Sequence, residues 1–166
     1  MSLAFADAIS TSRNTRENPG VIAPPPLIYL SGLAIGFALE ARLPSRRPRA
    51  VLVRAAGLPL ALGGLSLARE FFITFRRAGT PVDPRRAATV LVTHGPYRFT
   101  RNPAYLGMAL VYSGITLLRG ALWPFATLPA VLTIVDRGVI AREERYLTER
   151  FGQPYTDYRA HVRRWI

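Results

Sequence analysis

Cysteine and lysine are absent from this chain of 166 residues, and acidic residues are scarce. Without cysteine there is no disulfide framework, no thiolate zinc site and no cysteine nucleophile. No G-x-G-x-x-G sequence follows a strand-like pattern, so nothing indicates a soluble dinucleotide-binding domain. Residues 1–20 lack the basic start, apolar core and small-residue cleavage site of a signal peptide. We therefore expect a polar tail at 1–20 and a single domain at 21–166.

The scarcity of acidic residues leaves the chain strongly basic. Its 22 arginines face only 10 aspartates and glutamates, which gives a formal charge of +12. Basicity alone suggests nucleic acid or an anionic membrane surface as a partner. Long apolar runs favour the membrane, because a soluble DNA-binding domain of this size could neither bury nor expose them all. We expect a lipid bilayer as the partner and no nucleic acid.

Four apolar segments predict an all-α, multi-pass membrane bundle of about four transmembrane helices. A helix needs about 20 residues to cross the hydrocarbon core. The last two segments are joined only by Arg119-Gly120, which predicts an antiparallel helical hairpin. Pro24-Pro25-Pro26 is typical of a helix start, where the missing N–H groups cost nothing. The predicted spans are about 21–41, 51–75, 102–118 and 120–141.

Residues 142–166 are predicted to form a helical tail. The helix should continue beyond Val135 and end near Phe151-Gly152, since glycine commonly follows a helix end. Further on, one helical face carries Tyr155, Tyr158, Val162 and Trp165. This pattern predicts an amphipathic helix that lies at the membrane interface.

The distribution of arginines predicts the orientation in the membrane. With four spans, the N-terminal tail, the 76–101 loop and the C-terminal tail share one side, which carries most arginines and should be cytoplasmic. The short loop at 42–49 also holds four arginines and opposes this assignment. We expect an integral membrane protein in the cell or inner membrane, with its active site facing the cytoplasm.

A polar, turn-rich segment at 94–105 opens directly onto the third apolar run. Asn102-Pro103 is a strong helix start, with asparagine as the cap and proline at the first helical position. The free N–H groups at that start favour an anion, and His94, Arg98 and Arg101 add positive charge. The segment is either a binding site for a charged cosubstrate or an interfacial loop whose arginines face lipid phosphates.

Two further polar pairs are candidates. Glu143 and Glu144 follow Arg142 and point about 100° apart on a helix, so at most one should face the bundle squarely. A carboxylate there can accept hydrogen bonds from a ribose diol, pair with a cation or remove a proton from an amine. Alternatively, both pair with Arg137, Arg142 or Arg145 on a solvated surface. Arg69-Glu70 is either a functional pair at membrane depth or an interfacial pair.

Several motifs together resemble one known pattern. They are Thr89-Val90-Leu91-Val92, His94-Gly95-Pro96-Tyr97, Arg101-Asn102-Pro103-Ala104-Tyr105, Glu143-Glu144, Phe151-Gly152, Tyr155 and Tyr158. In order, spacing and residue type, this half of the chain resembles the isoprenylcysteine carboxyl methyltransferase and phospholipid methyltransferase group of integral membrane enzymes.

The resemblance implies a methyltransferase that uses S-adenosylmethionine and needs no metal. The implied cofactor-binding residues are Thr89, Val90, Leu91, Val92, His94, Gly95, Tyr97, Asn102, Pro103, Ala104 and Tyr105. Glu143 or the Glu143-Glu144 pair would hold the adenosyl or amino-acid portion, and either carboxylate is the candidate base for an amine. Arg101 is the first candidate for fixing an anionic group, and Arg142 is the second.

The chain departs from the family pattern at two positions. Many members have histidine at the position of Asn102. Asparagine can serve there as a hydrogen-bonding residue but not in proton transfer. Val139 stands where the isoprenylcysteine enzymes have an arginine implicated in binding the substrate carboxylate. We expect methyl transfer to a lipophilic acceptor that enters from the bilayer, by carboxyl O-methylation; the alternatives are phospholipid N-methylation and a non-catalytic membrane scaffold.

Overall fold

The computed structural model describes residues 19–45, 51–80 and 87–166, and that part of the chain is built of helices without strands. The predicted all-α class is therefore confirmed. The elements are α1 (Pro25–Arg42), α2 (Val51–Ala55), α3 (Gly57–Ala78), a 3₁₀ turn (Gly95–Arg98), α4 (Pro103–Arg119), α5 (Trp123–Val135), a π-helical turn (Asp136–Ile140), α6 (Ala141–Phe151) and α7 (Gln153–His161). The predicted N-terminal tail lies mostly outside the described residues.

Two helical segments have the length and composition needed to cross a membrane. They are Val51–Ala78, with 28 residues, and Trp123–Phe151, with 29. Helix α1 has 18 residues and α4 has 17. The predicted count of four spans, their orientation and the interfacial location of the C-terminal helix stay predictions. The predicted helical tail at 142–166 is wrong in its last residues, because α7 ends at His161 and Val162 is extended.

Helices α3 and α4 pack antiparallel through paired glycines. A Cβ atom added to Gly57 would lie 2.5 Å from the carbonyl oxygen of Gly114, and one added to Gly64 would lie 2.5 Å from that of Gly107. Small residues allow such close backbone approach, which is a common basis of helix association in membranes. This packing fixes the two helices that contribute one side of the site described below.

Helix α1 packs along α5 and makes little contact with α3. The Tyr29 hydroxyl donates a hydrogen bond of 3.0 Å to the Tyr105 carbonyl of α4. At its other end, the buried Glu40 carboxylate accepts hydrogen bonds from the backbone N–H groups of Leu122 at 3.0 Å and Trp123 at 3.3 Å. In the described part of the chain, no hydrogen bond joins α1 to α3. Helix α1 is thus bound to α4 and to the start of α5.

The core of the bundle lies where α1, α4 and α5 meet. It is formed by Tyr29, Tyr105, Tyr112, Val131, Val135, Val139 and Ile140. Tyr112 donates a hydrogen bond of 2.8 Å to the Pro124 carbonyl, which joins α4 to α5 across their short connection. The second helix of the predicted hairpin starts later than expected. Gly120, with a φ of 62°, ends α4, and α5 begins at Trp123.

The helix that begins at Trp123 continues to Phe151, and Gly152 with a φ of 62° ends it, as the sequence predicts. Its regularity is interrupted by the π-helical turn at Asp136–Ile140. A π turn inserts one extra residue, and each residue of an α-helix turns the direction of the side chains by about 100°. The turn therefore changes the direction in which the carboxylates of α6 point relative to α5.

Candidate active site

A cavity of about 270 Å³ lies at the end of the bundle where α4 begins. Its walls come from several parts of the sequence: the start of α1, the end of α3, the 88–92 segment, the turn before α4, the first residues of α4, the helix around residue 143, and α7. Its lining is largely apolar, with a charged group formed by Arg101, Glu143 and Glu144. An apolar cavity with a few convergent polar groups is the usual form of a small-molecule site.

The structure brings many of the predicted site residues together at this cavity. Those that line it are Val90, Leu91, Val92, Tyr97, Arg101, Asn102, Ala104, Tyr105, Glu143 and Glu144. Five others do not line it: Thr89, His94, Gly95, Pro103 and Arg142.

The five predicted residues outside the lining have other surroundings. Thr89 is exposed, and its N–H donates a hydrogen bond of 3.2 Å to the Thr80 hydroxyl. His94 is exposed. The neighbouring Gly95 has a φ of 63° and packs against Thr74. Pro103 is buried as the first residue of α4. The Arg142 side chain is exposed and donates a hydrogen bond of 2.9 Å to the Gly20 carbonyl.

Asn102 occupies the expected cap position, but its side chain does not cap α4. Instead, its Nδ2 donates a hydrogen bond of 2.9 Å to the Arg164 carbonyl. The expectation of an asparagine cap is therefore wrong, because the carbonyl of a distant residue takes up the side chain. The prediction that Pro103 begins the helix is confirmed.

Glu143 is held by a hydrogen bond and not by a salt bridge. The Tyr105 hydroxyl donates to its Oε1 at 2.7 Å, and among the described residues no arginine forms an ion pair with it. Its side chain is partly buried at the cavity. A carboxylate in this setting can accept further hydrogen bonds, attract a cation or take up a proton.

Glu144 is buried in a charge cluster. Arg164 donates to both of its oxygens, from Nη2 at 2.6 Å and from Nε at 3.0 Å. Arg101 Nη1 also lies 3.0 Å from Glu144 Oε1, but Arg101 Nε and Nη1 are buried and make no hydrogen bond. The cluster thus contains a guanidinium whose hydrogen-bonding capacity is not fully used.

The arrangement corrects two expectations for the pair of glutamates. Both side chains line the cavity, although at most one was expected to face the bundle. Their partners are Tyr105, Arg101 and Arg164, not the arginines of a solvated helix surface. By contrast, Arg69 and Glu70 form an exposed ion pair, with 2.7 Å between Arg69 Nη1 and Glu70 Oε1, and neither residue lines the cavity.

Aromatic rings form an apolar wall of the cavity. The ring centroids of Phe71 and Phe75 are 4.6 Å apart, and those of Phe75 and Tyr97 are 5.8 Å apart. The Tyr158 hydroxyl donates to the Tyr97 carbonyl at 2.7 Å and so holds this part of the wall against α7. Burial, together with the nearby Glu143 carboxylate, raises the pKa of Tyr97 well above its ordinary value. Its hydroxyl is therefore neutral in the physiological range.

Several residues that position the site were missed from the sequence. Tyr146 and Arg150 of α6 hold Ala88, whose N–H donates to the Tyr146 hydroxyl at 3.0 Å and whose carbonyl accepts from Arg150 Nε at 2.5 Å. This clamp fixes the segment that carries the Val90–Val92 wall. The spacing of Tyr146 and Arg150 places them on one helical face, which was the only available signal.

Comparison with known proteins identifies the family of this chain. A family model described as phospholipid methyltransferase matches residues 52–154, which include most of the cavity lining. The chain belongs to this family, as the resemblance of its motifs predicted. An uncharacterized protein from Haemophilus influenzae is 34% identical over 62 residues, which make up 37% of this chain and 98% of that protein. Family membership and two apolar helical segments together suggest a membrane protein with methyltransferase activity.

Proposed function

We propose that this protein transfers a methyl group from S-adenosylmethionine to a lipophilic acceptor that reaches the cavity from the bilayer. The observation that carries the proposal is a charged group, Arg101 with Glu143 and Glu144, on an otherwise apolar cavity beside helices apolar enough to span a membrane. A charged, water-soluble donor and an apolar acceptor both find matching surfaces there.

The residues present fit the donor. Its amino-acid end carries a carboxylate and an ammonium group, and its ribose carries two hydroxyls. Arg101 has unused N–H groups for the carboxylate, and the neighbouring Glu144 offers negative charge for the ammonium. Glu143 and Tyr105 can bind the ribose hydroxyls, or Glu143 can face the acceptor. We assign the amino-acid end to the Arg101–Glu144 pair, because a zwitterion matches a pair of opposite charges.

When bound, S-adenosylmethionine supplies the methyl group, carried on a positively charged sulfur. The protein's own contribution is to align donor and acceptor and to keep water out, which accounts for a large share of catalysis in such transfers. The aromatic wall of Phe71, Phe75 and Tyr97 suits a cationic centre, since ring faces attract positive charge.

The acceptor enters, in this proposal, between α1 and α3. Pro26 of α1 and Phe72 of α3 both line the cavity and are exposed at the surface of the bundle. The gap between these helices thus offers an apolar route from the side. We further propose four spans, with the cavity at the cytoplasmic surface and α7 near the membrane interface.

The sequence predicts carboxyl O-methylation, with phospholipid N-methylation as an alternative; we propose the amine of a phospholipid as the acceptor, which is in keeping with the family description. An amine must lose a proton before it attacks, and Glu143, which forms no ion pair in the described part of the chain, is the candidate base. The position that carries arginine in the isoprenylcysteine enzymes is here Val139, which is fully buried. Carboxyl O-methylation, expected from the sequence, is therefore the second candidate.

The experiment that tests the proposal is calorimetric titration of the detergent-purified protein with S-adenosylhomocysteine, the demethylated product. We expect saturable binding by the wild type and weaker binding by Glu143→Ala. A labelled-methyl assay with a membrane lipid extract then identifies the acceptor as an amine or a carboxylate. Absence of saturable binding by the folded wild-type protein would overturn the proposal.

A further inference from the structure

Residues 162–166, here named the C-terminal strap, join two walls of the cavity. On one wall, the N–H of Arg101 donates to the Arg163 carbonyl at 3.0 Å, and Thr100 and Asn102 donate to the Arg164 carbonyl at 3.1 and 2.9 Å. The strap thereby holds the turn that carries Arg101 at the start of α4.

The side chains of the same strap bind the other wall. Arg164 Nη1 contacts both Asp136 oxygens, at 3.0 and 3.2 Å, and Trp165 Nε1 donates to Asp136 Oδ1 at 3.1 Å. Asp136 opens the π-helical turn, and Glu144 lies two helical turns further on. Arg164 therefore ties the two carboxylates of this helix together across the π turn.

Arg164 and Arg101 contact the same Glu144 carboxylate. The two-pronged bond of Arg164 satisfies both Glu144 oxygens, a geometry that is strong and directional for a guanidinium and a carboxylate. Arg101 has a charge contact with Glu144 at 3.0 Å, but its Nη1 makes no hydrogen bond. If Arg164 were absent, Glu144 would be free to turn and form a closed pair with Arg101.

We propose that Arg164 is a positioning residue, which holds Glu144 by its two-pronged bond and so keeps Arg101 available to an anionic group of the ligand. The inference rests on the proposed function, because the ligand group concerned is the amino-acid end of the methyl donor. Neither the family match, which ends at residue 154, nor the sequence motifs include this arginine.

The test compares the affinity of wild type, Arg164→Gln, Arg164→Lys and Arg163→Gln for S-adenosylhomocysteine. We expect Arg164→Gln to weaken binding by roughly tenfold or more, as is typical when a hydrogen bond to a charged group is lost. Lysine keeps the charge but not the two-pronged geometry, so it should restore part of the affinity. The Arg163 side chain is exposed and only its backbone carbonyl joins the strap, so Arg163→Gln should bind like the wild type.

Two further measurements separate positioning from general loss of structure. Methylthioadenosine lacks the amino-acid end, so Arg164→Gln should bind it as the wild type does. In a Glu144→Gln background, Arg164→Gln should weaken binding of S-adenosylhomocysteine no further, because the two changes act on one contact. Equal loss of both ligands, additive losses, or unchanged affinity in Arg164→Gln would overturn the inference, whereas absence of binding in the wild type would overturn the proposed function.

Discussion

At the scale of single residues, the cavity distinguishes two glutamates that are adjacent in the sequence. Glu143 accepts one hydrogen bond from Tyr105, whereas Glu144 lies between two guanidinium groups. The first carboxylate remains chemically available, and the second is committed to a charge cluster. We therefore propose different tasks for them, with proton uptake at Glu143 and ligand positioning at Glu144.

Arg101 and Arg142 give a direct residue-scale prediction, because only the first lines the cavity. We expect Arg101→Gln to weaken S-adenosylhomocysteine binding by about 1.5–3 kcal/mol, the contribution of a hydrogen bond to a charged group. Arg142→Gln, which loses an exposed contact with a backbone carbonyl, should bind normally. Isothermal titration of both variants checks this. The opposite order of effects would contradict the assignment of the anionic group to Arg101.

The pH dependence of turnover distinguishes the acceptor chemistries. If the acceptor is an amine, activity should rise with pH as the amine loses its proton, and Glu143→Gln should lower the turnover number more than it changes the Michaelis constant. If the acceptor is a carboxylate, activity near neutrality should be nearly flat. Initial rates with saturating donor across the neutral range measure this. A flat profile with a phospholipid amine as acceptor would exclude Glu143 as its base.

The charged residues of the site could be predicted from the sequence, but the contact of Glu144 with Arg164 could not. Glu143-Glu144 and the turn at Arg101-Asn102 were predicted from motifs that are local in the chain. Arg164, by contrast, lies 20 residues from Glu144 and 28 from Asp136, and only the folded path of the chain brings them together. The side chain of Asn102 shows the same limit: its local sequence predicts a cap, and a distant carbonyl decides otherwise.

At the scale of helices, the close packing of α3 on α4 fixes two helices that both contribute residues to the cavity. Gly57 and Gly64 of α3 and Gly107 and Gly114 of α4 lie where an added Cβ atom would come too close to the backbone of the opposite helix. Apolar runs predicted the two helices, but hydropathy alone does not specify which faces meet. The π turn was equally hidden, because its sequence reads as an ordinary continuation of the helix.

Gly64 and Gly63 provide a matched test of this packing. Alanine at Gly64 would place its Cβ 2.5 Å from the Gly107 carbonyl, while the space around Gly63 is open. We expect Gly64→Ala to destabilise the protein by about 1–3 kcal/mol, as overpacking does, and Gly63→Ala to leave stability unchanged or slightly higher. Thermal unfolding of both variants in the same detergent measures the difference. Equal unfolding temperatures would contradict the close contact of α3 with α4.

At the scale of the whole molecule, the exposed apolar surface and the positive charge both suit a lipid bilayer. Large hydrophobic side chains of α1, α2 and α3 are exposed, including Leu30, Leu52 and Leu62. Such a surface suits hydrocarbon, and the arginines flanking it suit lipid phosphates. Neither feature requires nucleic acid.

Membrane fractionation tests this description. The expressed protein should remain with membranes after a wash in high salt, because burial of apolar surface does not depend on ionic strength, and it should be released by detergent. A protein held to lipid or nucleic acid by charge alone would be released by the salt wash. Immunodetection in the two fractions gives the result, and release by salt would contradict integration into the bilayer.

The separation of α1 from α3 has an energetic consequence. In the described residues no hydrogen bond joins α1 to α3, and the residues of the two helices that line the cavity there, such as Pro26 and Phe72, are apolar. Within the bilayer, replacing a contact between apolar side chains by a contact with an acyl chain costs little free energy, because lipid tails and these side chains are similarly apolar. Separating α1 from α3 would therefore break no hydrogen bond between these helices in the described residues, and a lipid tail could replace the apolar contacts that it displaces. The proposed entry of the acceptor from the bilayer therefore needs no rearrangement of polar contacts between these two helices among the described residues.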